Sequence, residues 1–203
     1  MTKLLVINID NKEYTEKHIK PLLGYISTES AMKINGFRFF KDKLRTLYGE
    51  LAARYMCAGD GISPSQLVMA RGEYGKPYFT NTDLKFNISH SGKYIVCAVC
   101  DGEVGVDIEE ITKTDLSLAR NIFMPSEQKY IQSSKDKIKA FYEIWTAREA
   151  YMKYVGKGFY LEQNSFETDI EKLIYSVDGK EAARLRLFEY DNHIISLCQK
   201  KQS

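Results

Sequence analysis

Leu84-Lys-Phe-Asn-Ile-Ser-His-Ser-Gly-Lys-Tyr-Ile-Val-Cys-Ala-Val-Cys-Asp-Gly-Glu-Val-Gly-Val-Asp-Ile-Glu-Glu-Ile111 is the stretch whose reading decides the fold. It predicts three strands, 84–90, 93–100 and 103–111, joined at Ser91-Gly92 and Asp101-Gly102. Asp-Gly is a strong two-residue hairpin signal, since both positions tolerate positive φ. The middle strand is apolar on both faces, so it is expected to be central and covered. In the third, Val104, Val106 and Ile108 alternate with Gly105, Asp107 and Glu109, the period of a strand with one buried face. With two-residue turns at both ends, Asp107 would lie opposite Val96 and Glu109 opposite Tyr94, near the turn that carries His90.

The same alternation turns Asp107 and Glu109 to one side, with Cα atoms about 6.5–7 Å apart. Like charges so placed raise each other's pKa, which is poor for stability. The pairing makes sense around a cation. Carboxylates without neighbouring Cys or His suit a hard ion such as Mg²⁺, which completes its shell with water and phosphate oxygens. The plainer alternative is a strand whose acids face water, and an isolated Asp-x-Glu does not separate the two.

Outward from this stretch, the 203 residues are 44% hydrophobic and 28% charged, enough to bury a core in one large or two small domains. Lys plus Arg total 29 against 27 acids, a near-balance that argues against nucleic acid as partner. No run approaches the 18 apolar residues of a membrane span, and Met1–Asp10 reads as a strand rather than a signal peptide. Cys97 and Cys100 sit in an apolar run, three apart and so on opposite faces of a strand. With Cys57 and Cys198 they read as buried free thiols, which fits a reducing, cytoplasmic setting.

Before the three strands, Lys3–Asp10 reads as strand and residues 30–59 as helix, bent near Asn35-Gly36. The later part, Lys41–Cys57, places Leu44, Leu47, Tyr48, Leu51, Ala52 and Tyr55 at helical spacing, and Asp60-Gly61 and Pro64 end it. Residues 67–70 and 78–80 flank a turn. After the strands, 116–122 and 126–132 read as short helices and Asp136–Tyr154 as a long one. Strands are expected near 172–177, 183–190 and 194–198, with Asp178-Gly179 as a hairpin turn. Two mixed halves therefore meet near Asp101.

On the long helix Phe141, Ile144, Trp145, Met152 and Val155 form one apolar stripe. Glu149 and Lys153, four apart, fall at its border, where a cleft or an ordinary exposed ion pair would lie. Arg148 falls within the stripe, so its guanidinium must snorkel or find an acid. Gly156-Lys-Gly158 ends the helix.

Four segments together resemble the Sfp-type 4′-phosphopantetheinyl transferases: Tyr74-Gly-Lys-Pro77, Phe86-Asn-Ile-Ser-His-Ser-Gly92, Gly105-Val-Asp-Ile-Glu109, and Trp145-Thr-Ala-Arg-Glu-Ala-Tyr-Met-Lys153 with Gly156-Lys-Gly158. Order and spacing agree, and the likeness thins after about Phe166. The resemblance implies an α+β fold built as a pseudo-dimer of two similar subdomains, each an antiparallel sheet with packed helices, and a ligand cleft between them. Residues 1–101 would form the 3′-phosphate and adenine side, and 102–203 the side carrying Mg²⁺ and the catalytic acids.

The implied enzyme is a holo-[carrier protein] synthase. It transfers the phosphopantetheine arm of coenzyme A to a serine of an acyl or peptidyl carrier protein and releases 3′,5′-ADP. Peptide, polyketide and fatty-acid carriers all stay open. By resemblance Asp107, Glu109 and Glu149 are ligands of Mg²⁺, with Mn²⁺ able to substitute. Glu149 is also a candidate base, and Asp107 and Lys153 complete the catalytic set, Lys153 on the phosphate. Lys33, Arg45 and His90 match the 3′-phosphate pocket. Ser30 stands where the family carries a further basic residue, with Arg38 or Lys41 to compensate. Lys76 and Ser89 match positions around adenine and phosphates. Glu127 matches an acid near the site, and Arg148 replaces the usual lysine, keeping its charge with little loss expected. Thr114–Tyr130, with Leu116, Leu118, Phe123 and Met124, reads either as a carrier-docking surface or as core. A monomer is expected. The competing reading is a non-catalytic coenzyme A or carrier-binding module, and a Mg²⁺-dependent phosphodiesterase ranks below it.

Overall fold

Tyr94–Cys100 is buried at every position, as a strand apolar on both faces must be. The computed structural model, which describes residues 1–10, 14–59 and 61–201, divides into two compact units, Met1–Gly102 and Glu103–Ser203. The strands are β1 (Lys3–Asn8), β2 (Met69–Arg71), β3 (Pro77–Phe79), β4 (Lys85–Ser91), β5 (Tyr94–Cys100), β6 (Val104–Glu110), β7 (Glu167–Asp169), β8 (Ile174–Val177), β9 (Lys180–Tyr190) and β10 (His193–Gln199). The helices are α1 (Glu16–Ile19), α2 (Thr28–Gly36), α3 (Phe40–Cys57), α4 (Ala119–Ile122), α5 (Pro125–Ser133) and α6 (Lys137–Val155). The α+β class with antiparallel sheets is as expected.

In the first unit an antiparallel sheet of order β1-β5-β4 carries α3, and β2 and β3 form a separate ribbon. Because β1 and β4 occupy both edges of β5, no edge is left for β6. The expected three-strand meander is therefore corrected: Asp101 and Gly102 lack the positive φ of a tight hairpin, and the chain leaves the sheet there. The β4–β5 turn is Gly92-Lys93 rather than Ser91-Gly92, since Ser91 pairs with Tyr94 and Gly92 takes the positive φ. The bend expected near Asn35-Gly36 is a break between α2 and α3 over residues 37–39. Ser27 caps α2 by accepting the Ser30 N–H at 3.2 Å.

The core face of α3 differs from the expected stripe. Leu44, Leu47, Ala52, Ala53 and Cys57 are buried, but Tyr55 is 75% exposed. Glu50 and Arg54 are buried beside them. Arg54 donates to Glu50 at 2.8 Å and to the carbonyls of Pro64 and Leu67, and lies over the Phe79 ring. This fan of bonds satisfies the guanidinium, without which burying it would be prohibitive. The helix ends at Cys57, and the Asp60 half of the expected Asp60-Gly61 stop lies outside the described residues.

In the second unit the antiparallel order is β6-β10-β9-β8-β7, with α6 lying on β6 and β10. Two tight turns set its register: Asp178-Gly179 joins β8 to β9, and Asp191-Asn192 joins β9 to β10, all four residues at positive φ. Strand β7 was not anticipated. Helix α6 starts at Asp136, which accepts the Lys139 N–H at 2.9 Å, and stops at Gly156, whose φ is 77°. Phe141, Ile144 and Met152 are buried as expected, and Phe123 packs on Phe141 and Trp145. Truncating a buried aromatic of this kind costs about 3–5 kcal/mol. The four cysteines are buried and free. Burial pushes the Cys57 thiol up to about 11 and raises Cys97 further, so neither is a reactive thiolate. Among the described residues no helix is long and apolar enough to cross a membrane.

Candidate functional site

Strand β6 has its own sheet partner, β10, with Asp107 opposite Ser196 and Glu109 opposite Ile194. The registers of Asp107 on Val96 and Glu109 on Tyr94 are thereby overturned, and with them the route by which Glu109 would have neared His90. The strand is also not half wet. Gly105 and Asp107 are buried as fully as Val104, Val106 and Ile108, because α6 covers the face that Gly105, Asp107 and Glu109 share. Only Glu109, half-buried, and Glu110 emerge at the strand end.

A buried carboxyl such as that of Asp107 needs a polar partner. Lys153, on the last turn of α6, supplies it: its Nζ donates to Asp107 Oδ1 at 2.6 Å. Glu149, one turn earlier, is half-buried at the border of the apolar stripe, as its wheel position predicts. Burial, and after it the charge of Asp107, pushes the Glu149 carboxyl above the usual range, while Lys153 and Arg148 pull it back. Asp107, Glu149 and Lys153 thus form one electrostatic group on two elements. Beside it the Thr146 and Ser196 hydroxyls pair at 2.6 Å between α6 and β10.

The two acids, Asp107 and Glu149, offer carboxylate oxygens, a donor type that fits a hard divalent ion. Among the described residues, however, no three His, Cys, Asp or Glu side chains are gathered as a metal-holding group. Asp107 and Glu149 are the pair brought together, and Glu109 shares their side of β6 by strand period. A cavity of about 260 Å³ between α5 and β7, lined by Ser126, Lys129, Tyr130, Glu167 and Asp169 among others, touches none of the candidate residues.

Arg148 finds its acid in Glu127. Its Nη1 reaches both Glu127 oxygens at 2.9 Å, Nη2 binds Gln163, and the guanidinium stacks over Phe166. Glu127 also accepts the backbone N–H groups of Met124 and Thr168. The pair is a buried brace joining α5, β7 and α6. A lysine has no fork for this arrangement, so the difference in fork geometry between arginine and lysine matters here. The segment 114–130 divides: Phe123 is core, while Leu118 is 45% exposed.

In the first unit Arg45 reaches from α3 to the β4–β5 turn, donating to the Gly92 carbonyl at 2.9 Å and to Asp42 at 3.1 Å. Ser89 and His90 lie on β4 just before that turn, Ser89 buried and His90 exposed. Lys33 stands exposed on α2 with its ammonium 5.8 Å from the Phe37 ring centre. Lys76 is half-buried beside β3, and its carbonyl accepts the Gly72 N–H. Arg45 and the His90 turn are thus brought to one end of the unit, with Lys33 and Lys76 on separate elements. Ser30 is buried in the first turn of α2.

Sequence reasoning passed over Gly105 as a spacer in the alternation. A glycine inside a strand often marks close approach of another backbone, and that signal was present.

An acid pair and a lysine shared by a strand and the helix lying on it suit transfer chemistry on an anionic group. Comparison with known proteins gives the class. Residues 103–198 match the 4′-phosphopantetheinyl transferase superfamily, and residues 13–101 match its N-terminal 4′-phosphopantetheinyl transferase region. A 4′-phosphopantetheinyl transferase of Aneurinibacillus migulanus is 34% identical, covering 93% of this chain and 83% of its own. One from Bacillus subtilis is 33% identical over 87% and 83%, and Sfp of Bacillus subtilis strain 168 is 29% identical over 89% and 84%. The solved holo-[acyl-carrier-protein] synthase of Thermotoga maritima aligns with 49% of this chain and 64% of its own, at 19% identity and a TM-score of 0.38, too distant to carry an argument. The chain belongs to the 4′-phosphopantetheinyl transferase family, a family of enzymes.

Proposed function

We propose that this enzyme transfers the phosphopantetheine arm of coenzyme A to a serine of an acyl or peptidyl carrier protein, with Mg²⁺, and releases 3′,5′-ADP. The observation that carries the reading is the seating of Glu149 and Lys153 on buried Asp107. Two acids that repel each other, one of them buried, weaken a fold and are kept for chemistry. A new bond forms between the serine oxygen and the phosphorus of the pantetheine-side phosphate. The bond from that phosphorus to the bridging oxygen breaks, and the electron pair leaves with 3′,5′-ADP.

Glu149 takes the serine proton, directly or through a water, a role that trades off against holding the ion, since a metal-bound carboxylate is the weaker base. Lys153, on its flexible stem, exchanges Asp107 for the diphosphate and steadies the departing oxygen. Asp107 and Glu149, with Glu109 turned to join them, would hold the divalent ion, which neutralises the diphosphate and its leaving group. Arg45, His90 and Lys33 take the 3′-phosphate, and Lys76 and Ser89 the adenine and phosphates. The reading includes a pseudo-dimer with coenzyme A bound between the halves, acting as a monomer in the cytoplasm.

Mass spectrometry on a panel of apo carrier proteins tests it. With coenzyme A and Mg²⁺, at least one carrier should gain a single phosphopantetheine and 3′,5′-ADP should accumulate in equal amount. Tight coenzyme A binding with no carrier modified would establish the binding-module alternative. Free 3′,5′-ADP without a carrier would establish hydrolysis.

A further inference from the structure

A Cβ built on Gly105 would run into the carbonyl oxygen of Ala150 and the amide nitrogen and Cα of Tyr154. All are backbone atoms of α6, and no rotamer change moves them aside. Gly105 is not among the residues with positive φ, so what matters is its missing side chain rather than its backbone freedom. Helix and strand backbones meet here, two residues along β6 from Asp107 and at the residues that follow Glu149 and Lys153 on α6. Gly49, on α3 in the first unit, provides the contrast: a Cβ there would meet Ile88 Cγ2 at 3.1 Å, a side-chain atom that can give.

We propose that Gly105 is a positioning residue. It sets the depth at which α6 lies on β6, and so the separation of Glu149 and Lys153 from Asp107. The inference rests on the reading that these three residues carry the transfer, but the spacing can be measured apart from it. A wedge of one methyl between two backbones lifts the helix, and a misplacement of about 1 Å at a reacting centre can lower a rate about 100-fold.

The test is a double-mutant cycle of Asp107→Asn and Lys153→Met, read by urea unfolding without metal or coenzyme A. With Gly105 in place the two substitutions should be coupled about fivefold in the folding equilibrium, within the range seen for contacting pairs. In the Gly105→Ala background the coupling should fall to within about twofold of none. Transfer should slow about 100-fold with KM for coenzyme A within about twofold of the parent, while Gly49→Ala keeps both. If Gly105→Ala does not fold, the cycle is run in Ala150→Ser, which adds one atom to the same buried seam, and the coupling should weaken there. Undiminished coupling in the folded variant overturns the proposal, whatever the rate does. Coupling lost with the rate intact upholds the spacing and refutes the roles given to Asp107 and Lys153.

Discussion

The two units solve one packing problem with different chemistry. Each lays a long helix, α3 or α6, on an antiparallel sheet. Each buries an Arg–Glu pair with the guanidinium over a phenylalanine, Arg54 with Glu50 over Phe79 and Arg148 with Glu127 over Phe166. Each has a glycine at the helix–sheet seam, Gly49 on the helix in the first and Gly105 on the strand in the second. They part at the helix border. In the first unit Arg45 binds a neighbouring aspartate and a turn carbonyl through its two Nη atoms, while its buried Nε has no partner among the described residues. In the second, Glu149 is held beside Asp107 with its carboxyl raised. The buried Arg–Glu pairs mark scaffold, and opposed charge marks the place where stability has been given up for function.

The sharpest way to break the comparison is to substitute one glutamate in each unit. Glu149→Gln should lower transfer about 1,000-fold, in the range for loss of a general base. Because its folded-state pKa is raised, ionised Glu149 opposes folding at neutral pH, so the same variant should melt no lower than the parent. Glu50→Gln should do the reverse, costing about 3–5 kcal/mol in urea unfolding by stranding buried Arg54, with activity per folded molecule kept. Full activity in Glu149→Gln would remove the distinction between the units.

Next in size are the two braces. Arg54→Lys and Arg148→Lys should each cost about 2 kcal/mol by urea unfolding, since an ammonium leaves several buried acceptors unmet. A neutral Arg148→Lys would show that charge alone suffices there. Smaller again, Arg45→Met should raise KM for coenzyme A about tenfold, the worth of a bond to a charged group. It should leave KM for 3′-dephospho-coenzyme A unchanged. Equal effects on both donors would make Arg45 a scaffold residue.

The smallest effect belongs to an exposed pair. Lys172 bonds hold the Asp169 carboxyl below its usual range despite slight burial. A depressed acid stabilises the fold above its unfolded pKa and loses that contribution as pH falls through the folded one. Asp169→Asn should therefore cost less than about 0.5 kcal/mol at pH 7, and nothing once the pH is below both values.

The long helices, the central burial of β5, the Asp178-Gly179 turn and the border position of Glu149 and Lys153 were all legible. Each depends on local periodicity or on a residue's own backbone preference. So was the ordered set of motifs that places the chain in its family. What stayed hidden were partners distant in the chain. Strand β6 has a sequence compatible with pairing to β5, but β1 had taken that edge, and β10, some ninety residues on, took β6. Glu50, Arg54 and Glu127, buried with charge, look like surface residues in a hydropathy pattern, and Arg148 stood out in the apolar stripe without its acid being named, because a pattern does not show which donor will meet which acceptor.

The sequence by itself determined the α+β class, the helix and strand periods and the residue types of the candidate site, since these follow from what each segment can do alone. Only the tertiary structure decided that α6 lies directly over Gly105, that Lys153 meets Asp107 and that Arg148 is braced by Glu127. Those outcomes depend on which surfaces are left to pack once strands and buried charges have taken their partners, a condition on the whole unit that no single stretch of chain contains.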